Sequence, residues 1–391
     1  MPRLAVNMMV LNGAQVLRRC LMPLKGVVDE LVVVDTGSTD GTREILEEIA
    51  SDLALDRYRY EHLHPLSPAF FTDEQDSFQI KLPGAFTGRR VPKDWAAARN
   101  AALDETTADY VLKLDADDEP TSPPENWLRT CDALDQKDEI DLVSCPYEIC
   151  DGSGNVTWLS MYDRLWRRWG QGHAPLRWVQ PCHEMLAGKT AGSVLYAAQG
   201  LRVRDHRDSP GEGVRIEHRN LKVLLWNYEN GERRHYHGAA RTGYSMAYAH
   251  LVERFTLAHE AAEVLPDFAN DLLCGVIQVL GDSDPGMLSD CYYHMGRAYE
   301  ARGSDSENPV VSAAIRDRAA ECYSRSDATS SHAQALLKLH SLLRRRGDSE
   351  QARKLRLKIL EKVGGPEIHS PFNCDLALVR EVRGALEEAS Q

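Results

Sequence analysis

Among its 391 residues the chain has no apolar run approaching the ~18 residues of a membrane span, so no segment reads as a transmembrane helix. It has no CxxC pair, and its nine cysteines are an odd number. That excludes a disulfide framework and points to a reducing, cytoplasmic setting with the cysteines as small buried hydrophobes. The set Cys145, Cys150, Cys182 and His183 matches no common zinc spacing. The loops after the first two apolar runs lack GxGxxG, which argues against a dinucleotide-dependent oxidoreductase. Positive charge is also short: a net charge of -13 speaks against a general nucleic-acid binder. One local basic patch stands out, Arg164, Arg167, Arg168 and Arg177 around Trp166, Trp169 and Trp178. It reads either as an anionic-ligand site or as a strand surface of stacked side chains.

What is present begins with Met1-Pro-Arg-Leu-Ala-Val-Asn-Met-Met-Val10, whose apolar part is short, holds Asn7 and lacks a small-residue cleavage site. It reads as a first strand rather than a signal sequence. Val16, Leu17, Cys20, Leu21 and Leu24 then recur at helical spacing, and Leu31-Val-Val-Val34 is a β-branched run of the kind buried in a parallel sheet. Another helix follows at Ile45, Leu46 and Ile49, and Arg57 to Leu63 supplies a third strand. This β-α-β-α order predicts a Rossmann-like open sheet. The Pro-rich stretch His64 to Lys93 is too long for an unstructured connection and reads as an inserted hairpin, a lid or a surface excursion.

Asp94 sits where a helix N-cap belongs, ahead of the stripe Trp95, Ala98, Ala102 and Leu103. Arg99 lies off that stripe, as a pocket cation or a solvated charge. The apolar run Tyr110-Val-Leu-Lys-Leu114 then ends in Asp115, Asp117 and Asp118. Three carboxylates at the carboxyl end of a buried strand repel one another unless a cation joins them. Mg²⁺ or Mn²⁺ would relieve that repulsion and leave positions open for a diphosphate. A helix at Trp127 to Leu134, a strand at Ile140 to Cys145 and a β-rich section from Asn155 to His206, including one run from Val194 to Val203, complete this half. Past Gly213 the texture is helical only, so the domains divide as 1–213 and 214–391. Gly296-x-x-Tyr299, Ala319-x-x-x-Tyr323 and Gly347 to Ala352 resemble tetratricopeptide helix pairs.

Taken together, Leu31 to Asp40, Ala97-Ala-Arg-Asn100, Leu114 to Asp118, Arg164-Leu-Trp-Arg167 and Cys182-His-Glu184 resemble family 2 glycosyltransferases of the GT-A fold. The resemblance is closest to the subgroup with a helical tail that includes peptide S-glycosyltransferases. It implies an α/β catalytic domain with a GT-A Rossmann-like mixed sheet, followed by an all-α, helical-repeat-like domain. It implies transfer, with inversion, from a UDP-sugar to a protein or peptide acceptor, then a glycan, then a nucleobase. By the same resemblance Asn12, Asp35, Thr36, Arg99 and Asp115 contact the nucleotide, and Asp117 and His206 hold Mn²⁺ or Mg²⁺, with Asp118 an additional candidate. Asp40 caps the following helix. Glu184 is the candidate base, with His183 the alternative. The helical tail would serve as acceptor platform or homodimer interface. The alternative class is an interaction scaffold that binds nucleotide with little turnover.

Overall fold

The computed structural model describes residues 2–63, 93–137, 139–151, 153–168, 176–187, 194–196, 200–206, 219–230, 246–304, 308–330, 333–363 and 374–375. These fall into two compact units, one ending at Met246 and the other beginning at Ala247. The boundary expected at 213/214 lies outside the described residues, and the first unit runs on through a further helix, Arg219–Asn230. The stretch 64–92 also lies outside them.

The first unit is the α/β mixed sheet the sequence predicts. Its strands are β1 (Leu4–Val10), β2 (Glu30–Asp35), β3 (Arg57–His62), β4 (Tyr110–Asp115), β5 (Asp118–Pro120), β6 (Leu142–Cys150), β7 (Val156–Arg167), β8 (Arg177–Val179), β9 (Met185–Ala187), β10 (Val194–Tyr196) and β11 (Val203–Asp205). The helices between them are α1 (Leu17–Leu21), α2 (Thr42–Leu53), α3 (Trp95–Glu105) and α4 (Pro124–Asp135), with α5 (Arg219–Asn230) after the last strand. The sheet order is β3-β2-β1-β4-β7-β6-β11-β5, with β10 beside β6, while β8 and β9 form a separate pair. The run expected as one strand from Val194 to Val203 is two, β10 and β11.

Strands β1, β2 and β4 are parallel and nearly all buried, as continuous apolar runs require. Their register fixes where the chemistry goes. Val10 pairs with Asp35 and Met9 with Asp115, so the three loops that follow open at one edge of the sheet. The antiparallel β6–β7 ladder has two register shifts, one between Ile149 and Cys150 and, farther along, a β-bulge: Val143 pairs with Leu165 and Ser144 with Asp163, which leaves Arg164 without an opposite residue.

The second unit is helical: α6 (Met246–Ala261), α7 (Pro266–Leu280), α8 (Pro285–Ser304), α9 (Pro309–Thr329), α10 (Ala333–Arg345) and α11 (Ser349–Val363). From α7 onward each helix packs on the next in the chain. The Gly296-x-x-Tyr299 and Ala319-x-x-x-Tyr323 fragments meet inside it. Tyr323 of α9 packs against Gly296 of α8, where an added Cβ would come within 2.4 Å of the ring. Its hydroxyl donates to Glu300 at 2.6 Å, and Ala319, Ala335 and Leu342 close the core around it. Gly347 ends α10, and Asp348 accepts from the Gln351 backbone N–H at the start of α11, as expected. Among the described residues no helix is long and apolar enough to cross a membrane.

Candidate active site

The loops after β1 and β2 are stapled together. Asn12, in the left-handed region at φ 52°, accepts from the Thr39 N–H at 2.8 Å and donates its own backbone N–H to Ser38 Oγ at 2.7 Å. Gly13 N–H donates to Thr42 Oγ1, and Ala14 N–H to Asp40. Asp40 also accepts from Thr42 N–H, but it precedes the helix by one residue more than expected, since the N-cap of α2 is Gly41. Gly13 must be small: a Cβ there would meet Val10 at 2.7 Å and Ala116 of the acidic turn at 3.3 Å.

Asp35 is fully buried. Its Oδ1 accepts from the Gly37 and Ser38 N–H groups at 2.8 and 2.7 Å, and its Oδ2 from the Tyr60 hydroxyl at 2.7 Å. It therefore organises the turn. Thr36 donates both its backbone N–H and its hydroxyl to Val10 O, at 2.9 and 3.1 Å.

At the end of β4, Asp115 is ringed by cations: Arg99 at 2.9 Å, Arg164 at 3.7 Å, and Lys113 in direct contact. Burial opposes its ionisation, yet Lys113, Arg99 and Arg164 together hold its carboxyl well below the usual range. Asp118, with no exposed surface, accepts from Asp115 N–H, the Tyr147 hydroxyl and, at 2.9 Å, Arg164. Burial there outweighs Arg164 and pushes the carboxyl up to about 6. Burial also brings Lys113 down to about 8. Asp118 is thus structural, which corrects its candidacy as a further metal ligand.

Whether the remaining residues suit a divalent cation turns on the β5–β11 ladder. Its last pair is Asp118 with Asp205, so the next residue on each strand is Asp117 and His206. Glu119 sits 2.5 Å from His206 Nε2, which orients the ring and leaves Nδ1 for a ligand. Among the described residues no group of three His, Cys, Asp or Glu is placed to hold a metal, and the cysteines with His183 form no zinc site. Two protein donors fit an ion that completes its shell with diphosphate oxygens.

Helix α3 joins this centre to the loop carrying Glu184. Asp94 caps it as expected, accepting from Ala97 N–H at 3.0 Å. Arg99 is 9% exposed, so the solvated-charge reading fails. Its Nη2 donates to Asp115, its Nε lies 3.7 Å from Glu184 Oε1, and its guanidinium is 5.5 Å from the Trp178 ring centre. Asn100 clasps the Trp178 backbone from both sides, at 2.9 and 3.0 Å, and Trp95 N–H donates to Pro181 O. The loop between holds two non-glycine residues in the left-handed region, Gln180 at φ 74° and His183 at φ 54°. His183 is exposed, and Glu184 half-buried beside Arg99.

Among the described residues, Arg164, Arg167 and Arg177 of the basic patch turn to separate partners rather than to one ligand. Arg164 turns inward, 1% exposed, between the two aspartates and 4.5 Å from the Tyr147 ring centre. Arg167 pairs with Asp135 and donates to the backbone carbonyls of Leu134, in α4, and Ile140, and Arg177 pairs with Asp104. Trp169 lies outside the described residues. Sequence reasoning missed Lys113, Tyr147 and Glu119 as members of the site. A lysine inside an otherwise apolar strand was the one available signal, because buried lysines are seldom unpaired.

Residues 6–64 and 78–193 match the family described as glycosyl transferase family 2. A TPR repeat-containing protein of Synechococcus elongatus is 31% identical over 186 residues, 48% of this chain and 36% of that protein. The chain thus spans just over a third of that relative's length. Among solved structures, glucosyl-3-phosphoglycerate synthase from Mycobacterium tuberculosis, in complex with Mn²⁺, UDP and glucosyl-3-phosphoglycerate, is 22% identical with a TM-score of 0.24, covering 37% of this chain and 44% of that one. Residues 1–349 of S. aureus TarS are 12% identical with a TM-score of 0.35, covering 84% and 92%. The mannosyltransferase PcManGT from Pyrobaculum calidifontis, in complex with GDP-Man and Mn²⁺, is 15% identical with a TM-score of 0.35, covering 78% and 88%. TM-scores this low carry no weight for the chemistry of this chain.

Proposed function

We propose, from the match of residues 6–64 and 78–193 to glycosyl transferase family 2, that the protein transfers a sugar, with inversion, from a UDP-sugar to a peptide or protein acceptor. One observation carries the reading. The β1, β2 and β4 loops open at one sheet edge around Asp115, and the Glu184 carboxylate reaches the same cluster through Arg99.

Asn12, Thr36 and the turn organised by Asp35 would shape the base and ribose pocket, with Asp115 toward the ribose. Asp117 and His206 would hold Mn²⁺ or Mg²⁺, which when bound offsets the charge growing on the leaving diphosphate. Glu184 would accept the acceptor's proton as the nucleophile bonds to the anomeric carbon. The bond from that carbon to the diphosphate oxygen breaks on the opposite face, its electron pair leaving with UDP. His183 is the alternative base. After peptides, glycans and then nucleobases are the acceptors to examine.

Purified protein with a panel of nucleotide sugars and Mn²⁺ tests the proposal, with UDP release as the readout. Release or transfer that disappears in Asp117→Ala is the expected outcome. No turnover with any donor, or full activity in Asp117→Ala, overturns it.

A further inference from the structure

We propose that Arg99 is a positioning residue that couples the donor-side carboxylate Asp115 to Glu184, so that one guanidinium sets both ends of the transfer. This rests on the reading above. A buried guanidinium is a rigid planar fork, able to serve two carboxylates with different nitrogens at once. Here Nη2 is spent on Asp115 at 2.9 Å, while Nε, buried and without a hydrogen-bond partner among the described residues, lies 3.7 Å from Glu184 Oε1. The second contact is therefore an ion pair not yet closed into a hydrogen bond. Closing it takes a shift of about 1 Å to reach the usual charge-assisted length.

The two carboxylates are not equally dependent on Arg99. Asp115 has Lys113 and Arg164 as well. Among the described residues Arg99 is the one cation within 4.0 Å of Glu184. When the donor's ribose engages Asp115, the guanidinium's share there falls and its hold on Glu184 grows. Donor binding would in this way align the group that takes the acceptor's proton.

The scaffold is built to transmit such a shift. Asn100, the next residue, clasps the Trp178 backbone through both amide atoms, and Trp95 N–H holds Pro181 O. Helix α3 and the 178–184 segment are thus bound at two points on either side of Arg99. Trp178 flanks the guanidinium and limits its freedom to swing away.

The test is a double-mutant cycle of Arg99→Met, Glu184→Gln and the pair, with Arg99→Lys as the charge-keeping variant. Turnover and UDP binding in the presence of Mn²⁺, the latter by calorimetry, are the readouts. Arg99→Met should lower kcat on the order of 10²-fold with donor KM changed much less, and the double variant should be no slower than Glu184→Gln alone. Arg99→Lys should recover part of kcat, since one ammonium cannot span both carboxylates. Losses that multiply in the double variant, or an unchanged kcat in Arg99→Met, overturn the coupling. If the wild type binds UDP but turns over no donor, the function proposed above fails by itself. The cycle is then read in UDP affinity and in unfolding free energy, where strict additivity overturns the Arg99–Glu184 link.

Discussion

Replacing Arg164 by methionine should destabilise the first unit severely. Its guanidinium is 1% exposed and lies 2.9 Å from Asp118, which has no exposed surface, and 3.7 Å from Asp115. Methionine fills much of the volume above the Tyr147 ring but supplies no charge. Asp118 would keep two donors, Tyr147 and the Asp115 N–H, and lose its only cation within 4.0 Å among the described residues. Removing one partner of a buried pair costs about 3–5 kcal/mol, because the other charge is left without compensation. That is a large part of the ~5–15 kcal/mol by which a domain is stable. Urea unfolding followed by tryptophan fluorescence reads it directly, since Trp166 is buried two residues away. The double variant Arg164→Met/Asp118→Asn removes the stranded charge and should recover more than half of the loss. A cost below about 1 kcal/mol in Arg164→Met, or no recovery in the double variant, would refute the assignment of Arg164 as the internal counter-ion.

Gly296→Ala drives a methyl into the Tyr323 ring and should cost about 1–3 kcal/mol in the helical unit, measurable as a lowered Tm. Asn100→Ala removes both hydrogen bonds to the Trp178 backbone; a loss of about 1–3 kcal/mol is expected by chemical denaturation. Asp117→Asn should weaken Mn²⁺ binding in the presence of UDP, followed by calorimetry, whereas stability in the absence of metal should shift by less than about 0.5 kcal/mol, since this side chain is not buried. Asp35→Asn keeps an acceptor for the Gly37 and Ser38 N–H groups and should be milder than Asp35→Ala in the same denaturation assay.

The parallel strands were legible because a strand buried on both faces must be apolar throughout, and Leu31 to Val34 could hardly be anything else. Asp94 was legible as a cap for an equally local reason. Asp117 and His206 come to adjoining strand ends although they are far apart in the chain, a closeness no local pattern shows. Arg99 was half legible: its helix was clear, but its burial depends on Asp115 and Trp178, which helical spacing does not reveal. Asp35 illustrates a role that local sequence leaves open. A turn carboxylate and a base-contacting carboxylate look identical in sequence, and the hydroxyl that Asp35 accepts from comes from Tyr60 on the next strand, 25 residues away. The arginines around Trp166 looked like one patch because they are close in sequence. The bulge and the strand alternation send them to different partners.

That bulge has a bearing on how β7 can be edited. The strand changes phase at Arg164 and again between Val156 and Trp158, so a pattern read with unbroken alternation from Val156 to Arg167 assigns part of it to the wrong face. A single-residue deletion at Asp163 or Arg164 would remove the register shift there. It would move no element boundary, yet it would withdraw the cation from beneath Asp115 and Asp118. Length in this strand is therefore as informative as identity: a sequence aligned here with a one-residue gap has lost the centre even if every motif letter survives.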